Sequence, residues 1–166
     1  MDCFCTHYTL VHSVFVLGNF FNDTGYSHRL IGYYCLILVL LRVVYGIWLS
    51  KVPSSRFYMP TIENIKLHIH EIRANQFAPH AGHNPLGQLA VNLIWILIIL
   101  LAFTGWLSRT DTYWGEDWPI DLHGIFSNLL LGLLILHITA IIIMSKLQKK
   151  NLVKPMITAK SSDTHY

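Results

Sequence analysis

Long apolar runs separated by short polar stretches dominate the chain. Four such segments lie at about residues 4–22, 28–50, 86–108 and 122–145. An α-helix needs about 20 residues to cross the hydrocarbon core of a bilayer. The last three segments meet that length easily, whereas the first, which several polar residues interrupt, only just does. Membrane-spanning strands would be shorter and would alternate apolar with polar residues. The pattern therefore predicts an all-α integral membrane protein, a four-helix bundle in a single domain over residues 1–166.

The charges between the apolar segments predict the orientation. Loop 22–27 holds one acidic and no basic residue, and loop 108–121 holds four acidic residues and one basic residue. Loop 51–85 and the tail 146–166 are rich in lysine and arginine. Because basic residues are retained on the cytoplasmic side, we expect both termini and loop 51–85 to be cytoplasmic and the two acidic loops to face outward.

The cytoplasmic loop contains an element of its own. The stretch TIENIKLHIHEIRA places isoleucines three and four residues apart, which is typical of an amphipathic helix. They are Ile62, Ile65, Ile69 and Ile72. We expect this helix to lie along the inner membrane face between the second and third spans.

Composition agrees with a membrane protein and excludes several functions. Charged residues make up 13% of the chain, against about 25% in a typical soluble domain. A net charge of +3 without a basic patch gives no reason to expect a nucleic-acid partner. Three cysteines argue against a disulfide framework, and the absence of C-x-x-C-H excludes covalently attached c-type haem. The N-terminus lacks the basic region of a cleaved signal peptide, and we expect no catalytic constellation.

Two histidines interrupt the most apolar segment, DLHGIFSNLLLGLLILHITAIII. His123 and His137 are 14 residues apart, which corresponds to roughly 21 Å along a helix and brings both side chains to one face. Ionisable residues inside a membrane usually face the bundle interior and have a partner. We therefore expect two interior sites at two depths.

Partners for these histidines follow from depth. His28 opens the second span at its outer end, level with His123. His12 lies about 10 residues below the outer loop, roughly 15 Å deep and nearer the level of His137. The predicted pairs are therefore His28 with His123 outside and His12 with His137 inside. His7 is an alternative to His12.

Two imidazoles at one depth suit six-coordinate haem b, because neutral imidazole is a good iron ligand. Zinc is a weaker alternative, since it requires four converging ligands. Gly32, Gly124 and Gly132 lie near the histidines and could leave room for a flat macrocycle, or could serve close helix packing. A set of hydrogen-bonded histidines without a cofactor is the remaining interpretation.

Arg42 lies 14 residues after His28, the same spacing as between His123 and His137. We therefore expect Arg42 to face inward at the level of the inner pair. A cation there could pair with haem propionates or with a quinone head group. Alternatively, Arg42 could extend to the inner interface as a snorkelling arginine.

A second group of histidines lies in the cytoplasmic loop. It comprises His68, His70, Glu71, His80 and His83. On a helix, residues two apart diverge by about 200°, so His68 and His70 are poorly placed to bind one ion. We expect a solvated or lipid-facing loop in preference to a metal site.

Several stretches resemble the prokaryotic cytochrome b561 family, which includes the cytochrome b subunit of nickel–iron hydrogenases and the gamma subunit of formate dehydrogenase. They are HRLIGYY…LLRVVYG, GHNPLGQLAVN…TGWL, LHGIFSNLLLGLLILH and KKNLVKPMIT. The resemblance covers nearly the whole chain. The first span differs, since the family pattern R-x-x-H-W is replaced here by YTLVHSVF.

This resemblance implies two stacked b-type haems, the outer held by His28 and His123 and the inner by His12 and His137. It also implies a multi-pass protein of the bacterial inner membrane that passes electrons between a redox partner and quinone. The donor or acceptor is open between a cytochrome c and a dehydrogenase subunit, and a homodimer is also open. Some relatives instead pass electrons from superoxide to quinone. A cofactor-free anchor and a metal-ion transporter are the alternatives of another class.

Overall fold

The computed structural model describes residues 3–22, 24–49, 57–74 and 85–147; the side chains of residues 3–7, 10, 49 and 73 are not described. This part of the chain forms helices and turns without strands, which confirms the all-α prediction. The five helices are α1 (Cys3–Phe20), α2 (Tyr26–Val44), α3 (Ile62–Arg73), α4 (Pro85–Leu107) and α5 (Trp118–Leu147). A π-helical turn, Tyr45–Leu49, extends α2, and a short 3₁₀ turn, Asp111–Tyr113, lies between α4 and α5.

Three of the helices are long and apolar enough to cross a membrane. They are Tyr26–Trp48, Pro85–Leu107 and Trp118–Leu147. In α1 the apolar part is the shorter stretch Val11–Phe20. Three of the four predicted spans are therefore supported by length and composition. The first predicted span, the four-helix bundle and the cytoplasmic termini stay predictions.

Helix packing leaves one pair of spans apart. α4 packs against both α5 and α2, and α1 packs against α2. By contrast, α2 and α5 pack only loosely on each other. The core between the helices includes Val39, which is fully buried, together with Leu130 and Ile98. The spans turn many large apolar side chains outward, as expected of helices whose surroundings are lipid.

The predicted amphipathic helix is present as α3. It begins after Thr61, whose side chain accepts a hydrogen bond from the Asn64 backbone amide, a standard N-cap. The face that packs against the protein is centred on His68. The predicted isoleucine stripe lies to one side of that face, and Ile62 at its start is 72% exposed. Ile69 is also exposed, whereas Ile65 and Ile72 are half-buried. That this helix lies along the membrane surface stays a prediction.

The segment before α3 is fastened to two spans. The Phe57 amide donates to the Gly46 carbonyl at 3.0 Å, and the Phe57 ring stacks on Trp95 with centroids 6.3 Å apart. The Asn92 side chain donates to the Tyr58 carbonyl at 3.1 Å. Polar groups in an apolar span need such partners. These contacts tie the predicted inner ends of α2 and α4 together.

Candidate functional site

His28 and His123 face each other across the gap between α2 and α5. Their ring centroids lie 6.2 Å apart, with an interplanar angle of 65°. Two imidazoles that bind one metal ion from opposite sides, with metal–nitrogen bonds of about 2.0 Å, have centroids about 6 Å apart. The observed separation therefore suits a single ion between the rings, and the predicted outer pair is brought together.

The two rings have different surroundings. The Nδ1 atom of His123 lies 3.1 Å from the Thr104 hydroxyl, in α4. The Nδ1 atom of His28 is buried and has no hydrogen-bond partner among the described residues. A buried polar atom without a partner is costly, so this nitrogen is a group that a ligand or bound water would satisfy.

A cavity of about 410 Å³ opens beside the histidine pair, within the size range of small-molecule and cofactor sites. Both histidines line it, as do Arg29 and Ser127. Side chains of α1, α2, α4 and α5 all contribute to its wall. The gap left by the loose packing of α2 and α5 is thus a shaped and mostly apolar cleft.

Glycines give this cleft its width. Gly32 and Gly124 both line the cavity. A Cβ atom added at Gly124 would meet nothing within 4 Å, and one at Gly32 would meet only the Asn19 side chain, at 3.9 Å. Gly132, near His137, also borders open space. At Gly32 and Gly124 no helix packs closely, and room for a flat ligand is the better explanation of these two glycines. Gly132 is exposed and does not line the cavity, so its open space does not decide between the two explanations.

The outer site fits a b-type haem by its donor chemistry and by its shape. Two imidazoles, a cleft between two helices and glycines on its walls suit such a group. No groups of three or more metal-ligating side chains occur in the described ranges.

The predicted inner pair is placed differently. His12 is buried, and its imidazole lies within hydrogen-bonding reach of the Cys35 backbone in α2. Its Nε2 atom is buried without a partner in the described part of the chain. Cys35 lies seven residues after His28, or about 10 Å further along the helix. His12 is therefore about halfway between the two predicted levels.

His137 is half-buried in α5. No ring contact joins His12 and His137 among the described side chains, whereas one joins the outer pair. α1 packs chiefly on α2, and α5 chiefly on α4. The structure thus brings the outer pair together and does not bring the inner pair together. The alternative ligand His7 lies outside the described side chains.

The sequence comparison decides the family. Residues 6–159 match the profile described as prokaryotic cytochrome b561.

The chain belongs to the prokaryotic cytochrome b561 family.

This match covers all four predicted ligands and confirms the resemblance seen in the motifs. No curated protein and no solved structure matches the chain. As a family member it is a membrane b-type cytochrome of electron transfer.

Arg42 lies in the interior of this cytochrome b561 family member. It is only 9% exposed, its guanidinium lies over the Trp95 ring at 5.5 Å, and its Nη1 atom has no hydrogen-bond partner within the described residues. The ring gives a cation–π contact, and no acidic side chain among the described residues pairs with the guanidinium. The snorkelling alternative does not agree with this burial.

The depth of the guanidinium can be read from α4. Thr104 contacts His123 and therefore marks the outer level on α4. Trp95, under the guanidinium, lies nine residues from Thr104, or about 14 Å along the helix. His137 lies about 21 Å from His123 on the same scale. The guanidinium of Arg42 is thus nearer the predicted inner level than the outer one.

Two histidines of the second group, His68 and His70, lie in the described part of α3 and have different surroundings. His68 is 4% exposed and contacts Glu71 with Nδ1 and Oε2 3.4 Å apart, whereas His70 is exposed. The expectation of a solvated or lipid-facing loop is wrong for His68, because α3 turns this side chain against the protein. His80 and His83 lie outside the described residues.

Sequence reasoning missed Thr104 and Gly105 as part of the outer site. Both contact His123. The available signal was a hydroxyl beside a glycine in an apolar span (the FTGW stretch), but its relation to a histidine 18 to 19 residues later depends on how α4 and α5 pack.

Proposed function

We propose that this protein is a di-haem cytochrome b that transfers electrons across the bacterial inner membrane, between a redox partner and the quinone pool. The observation that carries the proposal is the His28–His123 pair, whose rings face each other across a glycine-lined cleft in a member of the cytochrome b561 family.

At the outer site, His28 and His123 would hold the haem iron, and Gly32 and Gly124 would leave room for the macrocycle. Haem iron supplies a reversible one-electron oxidation and reduction. The apolar wall of the cleft excludes water, and burial of this kind is one means by which a protein sets a haem potential. Arg29 lines the cavity and offers a cation for propionate groups.

At the inner site, His12 and His137 are the proposed ligands. The unpartnered Nε2 atom of buried His12 favours this assignment. The two rings are not in contact, so their pairing rests on spacing and on the family resemblance. Arg42 offers a buried positive charge near this level, for a propionate or for the head group of a quinone.

The proposed setting follows from the charges in the loops and from the family. We propose a multi-pass inner-membrane protein with both termini in the cytoplasm, so that the outer pair faces the periplasmic side. Its partners would be membrane lipid, quinone, and a periplasmic cytochrome c or a dehydrogenase subunit. A homodimer is compatible with this arrangement.

The proposal is tested by producing the full chain in haem-replete cells and purifying it in detergent. We expect a red protein with about two haems per chain and a visible spectrum that changes on reduction. Reduction by quinol and by superoxide should then be compared, because they distinguish the quinone-linked carrier from a superoxide-to-quinone oxidoreductase. A colourless preparation would contradict the proposed function and favour an anchor or a transporter.

A further inference from the structure

Thr104 of α4 contacts the imidazole of His123. It is 3% exposed, and its hydroxyl oxygen lies 3.1 Å from His123 Nδ1. The same hydroxyl lies 2.9 Å from the Leu100 carbonyl and 3.2 Å from the Leu101 carbonyl. Both histidines line the cavity, whereas Thr104 does not.

The direction of the Thr104–His123 hydrogen bond follows from the acceptors around it. A threonine hydroxyl has one proton to donate, and two backbone carbonyls, which can only accept, lie within reach of it. The hydroxyl proton therefore goes to a carbonyl, and the oxygen accepts from Nδ1–H. The Leu101 backbone also lies within hydrogen-bonding reach of the imidazole. All these acceptors favour the tautomer with the proton on Nδ1, which leaves the Nε2 lone pair free.

Gly105, the next residue, leaves room for the same ring. A Cβ atom added there would lie 3.2 Å from His123 Cε1 and 3.4 Å from Nδ1. Contacts this short would force the imidazole to move by a few tenths of an ångström. The role of this glycine is thus unlike that of Gly124, which borders open space.

We propose that Thr104 and Gly105 are positioning residues for the outer haem ligand. Thr104 fixes the tautomer and the angle of His123, and Gly105 lets the ring lie close against α4. A hydrogen bond from Nδ1–H to an oxygen makes the imidazole a stronger electron donor. Because a stronger donor favours ferric over ferrous iron, the Thr104 contact lowers the midpoint potential of the outer haem.

This inference rests on the proposed function and is tested on the full-length haem-loaded protein by potentiometric titration of its visible spectrum. Thr104→Val removes the hydroxyl while keeping the shape. We expect the midpoint potential of the outer haem to become more positive, with that of the inner haem unchanged. Thr104→Ser keeps the hydroxyl and should restore the wild-type potential.

The matched control is Thr139→Val. Thr139 lies in α5, is exposed, and donates to the Ile135 carbonyl at 2.7 Å without contacting a histidine. If the potential changed only because a threonine hydroxyl no longer bonds to its own helix backbone, Thr104→Val and Thr139→Val would have the same effect. An unchanged outer potential in Thr104→Val overturns the proposal, and so does a shift that Thr104→Ser shares.

Gly105→Ala tests the proposed steric role of Gly105. We expect the low-spin ferric electron paramagnetic resonance signal of the outer haem to shift, because the ring is pushed from its position, whereas Gly18→Ala should leave it in place. An added Cβ at Gly18 meets nothing within 4 Å. An unshifted signal in Gly105→Ala overturns the steric role.

The proposed function and the positioning role of Thr104 would be contradicted by different results. A wild-type protein without haem would contradict the proposed function. A wild-type protein with two haems, whose Thr104 variants all titrate alike, would leave that function standing and contradict only the positioning role. Loss of the outer haem from both Thr104→Val and Thr104→Ser would also contradict it, since serine retains the hydrogen bond.

Discussion

The imidazole rings of His28 and His123 lie 6.2 Å apart on two helices that otherwise pack only loosely on each other. The two helices are separated by a cavity, and each contributes one histidine to its lining. Removal of either ligand should empty that cleft of haem while leaving the packing of α4 on its neighbours in place.

The first prediction concerns this outer pair. His28→Ala and His123→Ala should each reduce the haem content from about two to about one per chain, because six-coordinate haem needs both axial ligands. The measurement is the haem-to-protein ratio of the purified protein. His70→Ala is the control, since His70 is exposed on α3. A full complement of haem in either outer variant would refute the assignment.

The second prediction concerns the inner pair. His137→Ala should lose the inner haem and keep the outer one, observed as one remaining component in a redox titration. His12→Ala and His7→Ala then decide the first-helix ligand: the variant that matches His137→Ala identifies it. If His137→Ala keeps both haems, the inner assignment fails.

The third prediction uses the width of the cleft. Gly124→Leu should fill the open space beside His123 and lower the occupancy of the outer haem. The inner haem should be retained. Gly18→Leu, at an equally open position that does not line the cavity, should bind haem normally. Equal haem loss in both variants would point to general misfolding instead of a filled cleft.

The fourth prediction concerns the buried charge of Arg42. Arg42→Gln should make the midpoint potential of the inner haem more negative, because a nearby positive charge favours the reduced iron. At about 10 Å and an effective dielectric constant of about 20, one charge contributes roughly 1–2 kcal/mol. Arg109→Gln, in the exposed loop after α4, should leave that potential unchanged.

A related variant tests the position of the guanidinium. Gly46→Ala places a Cβ atom 2.8 Å from Arg42 Nη1 and 3.0 Å from the Phe57 amide nitrogen. The guanidinium must move, so the inner potential should shift even though the charge is kept. An inner potential that is insensitive to both Arg42→Gln and Gly46→Ala would exclude Arg42 from the inner site.

The fifth prediction concerns stability. Asn92→Leu removes the hydrogen bond to the Tyr58 carbonyl and the partner of Gln88, which donates to Asn92 at 3.0 Å. Loss of such buried contacts costs about 1–3 kcal/mol. We expect a lower temperature of haem loss and faster proteolysis of the segment before α3. Asn128→Leu, at an exposed position on α5, should change neither.

The helices and the depth of the outer ligands could be predicted from the sequence alone. Apolar length predicted α2, α4 and α5, and isoleucine spacing predicted α3, because a membrane and an interface each impose a regular local pattern on the chain. The equal depth of His28 and His123 followed from the helix rise and the short outer loops. Family membership followed from motifs that are local in sequence.

The contacts between helices depended on tertiary structure. The sequence left the glycines open between close packing and a cleft, and only the packing of α2, α4 and α5 decided for the cleft at two of them. The burial of His68, the stacking of Arg42 on Trp95 and the Thr104–His123 hydrogen bond likewise depend on how whole helices rotate and tilt. Spacing determines which residues share a face and a depth, but not which neighbouring helix that face meets. That choice is made by side-chain packing between segments far apart in the chain.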